Sequence, residues 1–456
     1  MATDLRFAKW LLKLTAIFSI LSVTAQGVEL KSSVNPGELR INELTLEVKG
    51  ELRVMGEKQL QSLPMSVAAS VKFIERRVDD GSLANELRTL RYYSDAKATI
   101  RIQNESTINR LREKHGLVRG KLSQNKLHLV AAQDPLTRDE RDLLDLSGDP
   151  LSLAGLLPAS EVEVGNNWTV PSEKLAAIYG LDEVKRSEVT IKLSKFQDNL
   201  ATLTLAGKLN GTILGSSTAM TLGGTLTFNS KTGNFDGWSL TIKEQRDPGQ
   251  ASPGLEVTAK LTATAKTVYE AKELSDETLG GLALIDDQHE ERLSYVHRRG
   301  VFRFQYDPRW KIRADESQQM NMQLLEGNLI AAQANVRMVQ LPAGAPPLQL
   351  KEFEQEVKTS IGKHFVKFQD KHEGVNPLGV RTLKIVSEGV VETVSVLWLS
   401  YYFEGPDGYR VAFTISLEDK MLEQYGEADK ALLETMEFNE SLQQAKVQEF
   451  DVTDKK

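Results

Sequence analysis

No cysteine occurs in the 456 residues. That excludes disulfides, thiolate nucleophiles, cysteine-ligated zinc or iron–sulfur centres and lipid attachment through a cysteine. A domain without such staples must be held by its core, and the two domains delimited below are well above the roughly 70–80 residues at which staples become necessary. Histidine is scarce too: His115, His128, His289, His297, His364 and His372 are all there are, and no two have the His-Glu-x-x-His spacing of a metalloprotease. Gly-x-Ser-x-Gly elbows and the glycine-rich loops that cradle phosphates are absent. Beyond the first 25 residues no run is long and apolar enough to span a membrane as a helix. The net charge of −7 speaks against sequence-independent nucleic-acid binding, which needs basic surface.

The first 25 residues read as an export signal. Arg6, Lys9 and Lys13 form a basic start, Leu14 to Ala25 is a twelve-residue apolar run, and Val23-Thr24-Ala25 offers small residues for cleavage before Gln26. A spanning helix needs about 20 apolar residues, so a cleaved signal is expected, leaving no transmembrane segment and a net charge of −9. The expected location is the periplasm or the medium of a bacterium. The sequons at Asn104, Asn167, Asn210 and Asn439 carry no meaning there.

Residues 27–270 form a β-rich region. Leu39–Val54 and Val67–Val78 alternate, Asp79-Asp80-Gly81 reads as a turn, and Leu83–Tyr93 reads as helical. Thr137-Arg138-Asp139-Glu140 is a capping box that opens a helix ended by Ser147-Gly148. A second short helix, capped by Ser172, runs to Tyr179 with Gly180 beyond it. From Val184 to Val268 leucines alternate with threonines, as in Leu203, Leu205 and Leu209 against Thr202, Thr204 and Lys208. One wet face and one buried face define an antiparallel sheet, strongly curved or partly closed. Residues 271–291, charged and containing Gly280-Gly281, read as a linker. Beyond it strands alternate with a helix near Leu348–Ile361 and a helix from about Asp419 to Glu437; residues 441–456 read as a polar tail. The fold class expected is α+β.

Gly300-Val301-Phe302-Arg303-Phe304-Gln305-Tyr306-Asp307-Pro308-Arg309-Trp310-Lys311 resembles the opening strand and turn of PsbP-like domains. The Tyr401-Tyr402-Phe403-Glu404-Gly405 segment and the closing Met436-Glu437-Phe438 fit the same family, over about residues 293–440. The resemblance implies a PsbP-like α/β/α sandwich at 292–440, a non-enzymatic module that docks on protein partners. No residue matches those that would place it in a photosystem. The β-rich region, by its size, its export and its threonine-rich strands, is similar to the curved sheets of LolA-type envelope lipid carriers.

Chemistry-bearing clusters are few. His289-Glu290-Glu291 reads as part of a solvated linker, and His364 and His372 as surface histidines. Ser216 and Ser217 have no nearby histidine. The carboxylate pairs Glu161/Glu163 and Asp286/Asp287 have only Trp168 close to the first of them, against the aromatic-lined cleft that glycoside hydrolysis requires. A basic run stands out: Arg298, Arg299, Arg303, Arg309, Lys311 and Arg313, preceded by Arg292. With Phe302, Phe304 and Tyr306 facing a core, Arg303 faces outward. This run reads either as a docking strip for an acidic partner or anionic headgroup, or as a solvated strand face whose arginine stems cover apolar surface. The function expected is that of a non-enzymatic exported binding protein docking on an envelope protein, without cofactor or metal. Its rivals are a carrier of a lipid or other apolar ligand and a hydrolase with scattered site residues.

Overall fold

The structure is a computed structural model that describes residues 27–33, 35–55, 59–78, 87–249, 252–280, 291–327, 329–342 and 344–438. The signal, the Asp79-Asp80-Gly81 turn, Asp286, Asp287, His289 and the tail fall outside them.

The N-terminal part is built from β1 (Leu39–Met55), β2 (Leu60–Val78), β3 (Leu87–Ile102), β4 (Glu105–Arg110), β5 (Leu117–Ser123), β6 (Lys126–Ala131), α1 (Arg138–Leu144), α2 (Pro150–Leu153), β7 (Asn167–Thr169), α3 (Ser172–Tyr179), β8 (Glu183–Ser187), β9 (Thr190–Gln197), β10 (Leu200–Ile213), β11 (Ser216–Asn229), β12 (Asn234–Arg246) and β13 (Gly254–Val268). Its strands form one antiparallel sheet in the order β6-β5-β3-β2-β1-β13-β12-β11-β10-β9-β7, with β4 beside β3 and β8 beside β10. The first and last long strands meet at its centre, Leu44 opposite Ala263 and Leu46 opposite Leu261. Leu203, Leu205, Leu222, Leu226, Leu240 and Leu261 are buried on one face, while Thr225, Lys243 and Lys260 on the other are exposed. The alternation read from the sequence is thus the alternation of the pleat.

Two expectations are corrected in this part. Leu83–Tyr93 is not helical where it is described: β3 begins at Leu87, paired with β2 on one side and β5 on the other. Arg88, Thr89, Leu90 and Arg91 are all buried. Polar residues buried on one face and Leu90 on the other erased the period-two signal. In α3, Pro171 is the N-cap residue and Ser172 makes no cap; Gly180 does close the helix in the left-handed conformation.

The first half of the expected linker is docked. Leu274 and Leu279, the latter ending α4 (Asp276–Leu279), pack against Leu90. Arg76 donates to the Leu274 carbonyl at 3.0 Å and pairs with Asp276 at 2.6 Å.

Beyond it lie β14 (Leu293–Val296), β15 (Phe302–Tyr306), β16 (Trp310–Asp315), β17 (Gln319–Glu326), β18 (Leu329–Gln340), α5 (Leu350–Ile361), β19 (Phe365–Val375), β20 (Arg381–Val391), β21 (Val394–Glu404), β22 (Tyr409–Glu418), α6 (Leu422–Tyr425), α7 (Lys430–Thr435) and β23 (Glu437–Phe438). A seven-stranded antiparallel sheet runs β16-β17-β18-β22-β21-β20-β19, and β14-β15-β23 form a second small sheet. Tyr401 and Phe403 face a core shared with Phe304, Trp310, Phe413, Leu432 and Met436. Tyr402, one residue along, faces the opposite way and joins Leu383, Ile385 and Phe353 and Val357 of α5. The single closing helix expected over 419–437 is two short ones, interrupted after Tyr425 at Gly426, whose φ is +55°.

Candidate functional site

One face of the large sheet is partly covered. Leu143 and Leu144 of α1, Leu151 and Leu153 of α2, and Leu175, Ile178 and Tyr179 of α3 share one buried cluster with Leu203, Leu226, Trp238 and Leu261 of the sheet. Gly148, between α1 and α2, allows the closest approach. Its φ is +81°, and a Cβ there would lie 3.1 Å from both Leu240 and Leu261. The plug is anchored by charge: Arg91, fully buried on β3, forks onto Asp149 with contacts of 2.6 and 2.8 Å. Asp149 also accepts from the backbone N–H of Leu151 at 2.9 Å, capping α2.

The plug does not cover everything. Val48, Leu52, Leu63, Met65, Val67, Ile100 and Ile102 lie on the same inner face at the far end of β1, β2 and β3, and are only half-buried. A cleft of about 1090 Å³ also opens between the two margins of the sheet, with Leu87 and Leu122 on one side and Trp168 and Pro171 on the other. Lys174 spans it, donating to Asn125 Oδ1 at 2.7 Å.

A second cavity, of about 250 Å³, lies where the two halves of the chain meet; Arg112, Lys114, His115 and Asp134 face Ser294, Arg303, Glu434 and Glu437 across it. The Ser294 N–H donates to the Leu136 carbonyl at 2.8 Å, and His128 bonds Glu291. Beneath this cavity Glu140 accepts from Arg112 Nε at 2.7 Å and from the backbone N–H of Thr137 at 2.9 Å, and lies 2.8 Å from His115 Nδ1. Burial opposes its charge, but the bonds from Arg112 and His115 and from the backbone outweigh burial and hold the carboxyl well below the usual range. The capping box seen in the sequence is therefore the visible corner of a larger hub. Its other members lie 25 and 28 residues upstream, beyond any local pattern. His115 Nε2 is buried with no hydrogen-bond partner, so no hydroxyl is poised on it for nucleophilic attack. Among the described residues no three metal-ligating side chains converge.

The six basic residues are split between the loop before β15 (Arg298, Arg299), β15 (Arg303), the turn after it (Arg309) and β16 (Lys311, Arg313). Arg298 pairs with Asp315 at 3.1 Å and Arg303 with Glu437. Arg309 binds Asp307 at 2.7 Å, Glu326 at 3.0 Å and the Gln424 carbonyl at 3.0 Å. Lys311 is half-buried, and burial together with the charges of Arg138 and Arg141 on α1 pulls its ammonium down to about 7. Arg299 and Arg313 are exposed.

No family model matches this chain, and no curated protein matches it. Among solved structures it is similar to cyanobacterial PsbP (CyanoP) from Synechocystis sp. PCC 6803, at 10% identity over 34% of this chain and 96% of that one, with a TM-score of 0.27. It is also similar to the Ran-binding protein Mog1p of Saccharomyces cerevisiae, at 10% identity over 34% of this chain and 99% of that one, TM-score 0.26. A third likeness is to lipovitellin, at 7% identity over 53% of this chain and 27% of that one, TM-score 0.31. At these scores the likenesses bear on neither function nor partner. They do not show the likeness to LolA-type carriers.

Proposed function

We propose that the chain is an exported, non-enzymatic binding protein whose β-rich half carries an apolar ligand. The observation that carries this reading is the face of the sheet beyond the plug, where Val48, Leu52, Leu63, Met65, Val67, Ile100 and Ile102 lie side by side and are only half-buried. Soluble proteins seldom leave a large contiguous apolar surface open without a use for it. The cleft at the opposite end of β3, beside Leu87, is of the size of ligand sites and is lined by apolar and polar groups alike. The C-terminal half is proposed as a PsbP-like α/β/α sandwich that docks on an envelope protein. Val366 and Val375 on edge strand β19, 55% and 71% exposed, support that second role. Export rests on the basic start and short apolar run of the first 25 residues.

The test is titration of the mature protein with cis-parinaric acid, whose fluorescence rises in apolar surroundings. Saturable binding is expected. Val67→Asp, on the inner face, should weaken it at least about tenfold, and Ser66→Asp, on the outer face, should leave it unchanged. Absence of saturable binding, or equal effects of the two substitutions, overturns the reading.

A further inference from the structure

The solvent-facing side of β9 to β13 carries charge of one sign. Its outward positions hold six lysines, Lys192, Lys195, Lys208, Lys243, Lys260 and Lys266, all exposed. Register places them on one face. Lys192 and Lys195 stand opposite Thr204 and Thr202, Lys208 and Lys243 flank Thr221 from either side, and Lys260 stands opposite Thr241. Lys266 lies an even number of residues beyond Lys260 and points the same way. These outward positions hold one carboxylate, Glu256, and it is paired with Arg53 of β1. Two carboxylates at the margins are also taken: Glu188, just before β9, by Arg186 at 2.5 Å, and Asp236, where the register of β12 shifts, by the buried Arg40 at 3.1 Å. The whole chain has 63 acidic and 56 basic side chains, so this face runs against its average. On the neighbouring β1 the ordinary mixture returns, with Glu47 opposite Lys260 and Lys49 opposite Thr258.

The six ammonium groups are also unanswered. Elsewhere lysines meet carboxylates: Lys114 meets Asp134 at 2.6 Å, Lys367 meets Glu388 at 3.2 Å and Lys371 meets Glu354 at 2.8 Å. Among the described residues none of the six has such a partner. Their spacing selects what they can bind. Strands about 4.8 Å apart set Lys208 and Lys243, two strands apart, about 10 Å from each other, and the five strands span about 20 Å. No arginine stands among the six, so the planar fork that fixes a single phosphate or carboxylate is missing. Point charges on flexible stems, spread over such an area, suit many anions at once. An anionic bilayer is a partner of that kind. Its potential dies away within about 10 Å at ordinary ionic strength, so only cations gathered on one face reach it together, and the acidic remainder of the chain is turned away.

We infer that the lysine face of β9 to β13 docks on the surface of a bilayer bearing anionic lipid headgroups, with Lys208, Lys243 and Lys260 among its contacts. It is the opposite side of the sheet from the half-buried apolar residues, and the inference does not depend on the reading of that side as a ligand site.

The experiment is co-sedimentation of the mature chain with vesicles of phosphatidylcholine alone and of equal parts phosphatidylcholine and phosphatidylglycerol. Binding to the anionic vesicles should be at least about tenfold tighter and should fall steeply with added salt. Each lysine removed from the face should weaken it about fivefold, so the triple variant Lys208→Gln, Lys243→Gln, Lys260→Gln should lose about a hundredfold. A control with the same net charge, Lys114→Gln, Lys367→Gln, Lys371→Gln, should lose little. All six positions are exposed, and thermal melts of both variants should match the parent. Inorganic phosphate should displace the protein no better than chloride of equal ionic strength. The lysine triple variant should bind cis-parinaric acid as the parent does, and Val67→Asp should still bind the vesicles, so the two readings fail separately. Equal binding to both kinds of vesicle, equal losses in the two triple variants, or displacement specific to phosphate overturns the inference. So does saturable binding of a heparin tetrasaccharide by a chain that ignores anionic vesicles, which would make the face a site for a soluble polyanion.

Discussion

Arg91 is fully buried, and its charge is answered by Asp149, which also caps α2. Removing one member of such a pair leaves the other charge buried and uncompensated, at a cost of about 3–5 kcal/mol. Asp149→Ala should therefore lower the urea midpoint sharply, since the other carboxylate near Arg91, Glu75 at 3.5 Å, makes no hydrogen bond to it. A loss below about 1 kcal/mol for the single change would mean the pair is solvated. Glu140 makes a second residue-scale case, with a pH signature. Its folded carboxyl titrates well below the usual range, so its contribution to stability is complete above the unfolded value of about 4.3 and drains away as pH falls below that. Glu140→Gln should cost about 1.5–3 kcal/mol at neutral pH, and the gap to the parent protein should narrow steadily below about pH 4 in acid-unfolding curves.

Among the elements, β15 and β16 bring the family-like segment into the fold as the alternation requires. Phe302, Phe304 and Tyr306 are buried and Arg303 is exposed. Trp310, 1% exposed, opens β16 and donates its indole N–H to the Ala428 carbonyl at 3.0 Å, tying the strand to the segment between α6 and α7. Trp310→Ala should cost about 3–5 kcal/mol. Arg309→Ala next to it loses partly exposed ion pairs with Asp307 and Glu326, worth within about 1 kcal/mol. Equal denaturation midpoints for the two variants would mean the register of β16 is mistaken. The elements that escaped the sequence did so for physical reasons. In β3 four successive residues are buried, so no period survives. In the closing segment the apolar spacing of Leu422, Tyr425, Leu432 and Leu433 suits one helix, but Gly426 and the return of the chain toward β15 divide it.

For the molecule as a whole, the two halves keep separate apolar cores, while the seam between them is polar, held by the Ser294–Leu136 and His128–Glu291 bonds. Polar seams contribute less than cores, so a fragment beginning near Asp287 should fold alone and melt in a single cooperative transition by calorimetry. An insoluble fragment from a soluble full chain would show that the C-terminal half needs the other to fold.

The sequence by itself determined the long alternating strands of β1, β2 and β10 to β13 and which of their faces is wet, where the capping box of α1 begins, and that Phe302, Phe304, Tyr306 and Trp310 line the C-terminal core. These follow from periods of two or four residues along a single segment, which the chain carries locally. Only the tertiary structure decided the rest. It paired β1 with β13 across some two hundred residues, set α1 to α3 onto one face of the sheet, and laid Leu274 and Leu279 on Leu90. It joined His115 and Arg112 to Glu140 and answered three of the basic residues with Asp315, Glu326 and Glu437. Each of these depends on which segments close against each other, and the free energy of that choice belongs to pairs of residues far apart in the chain.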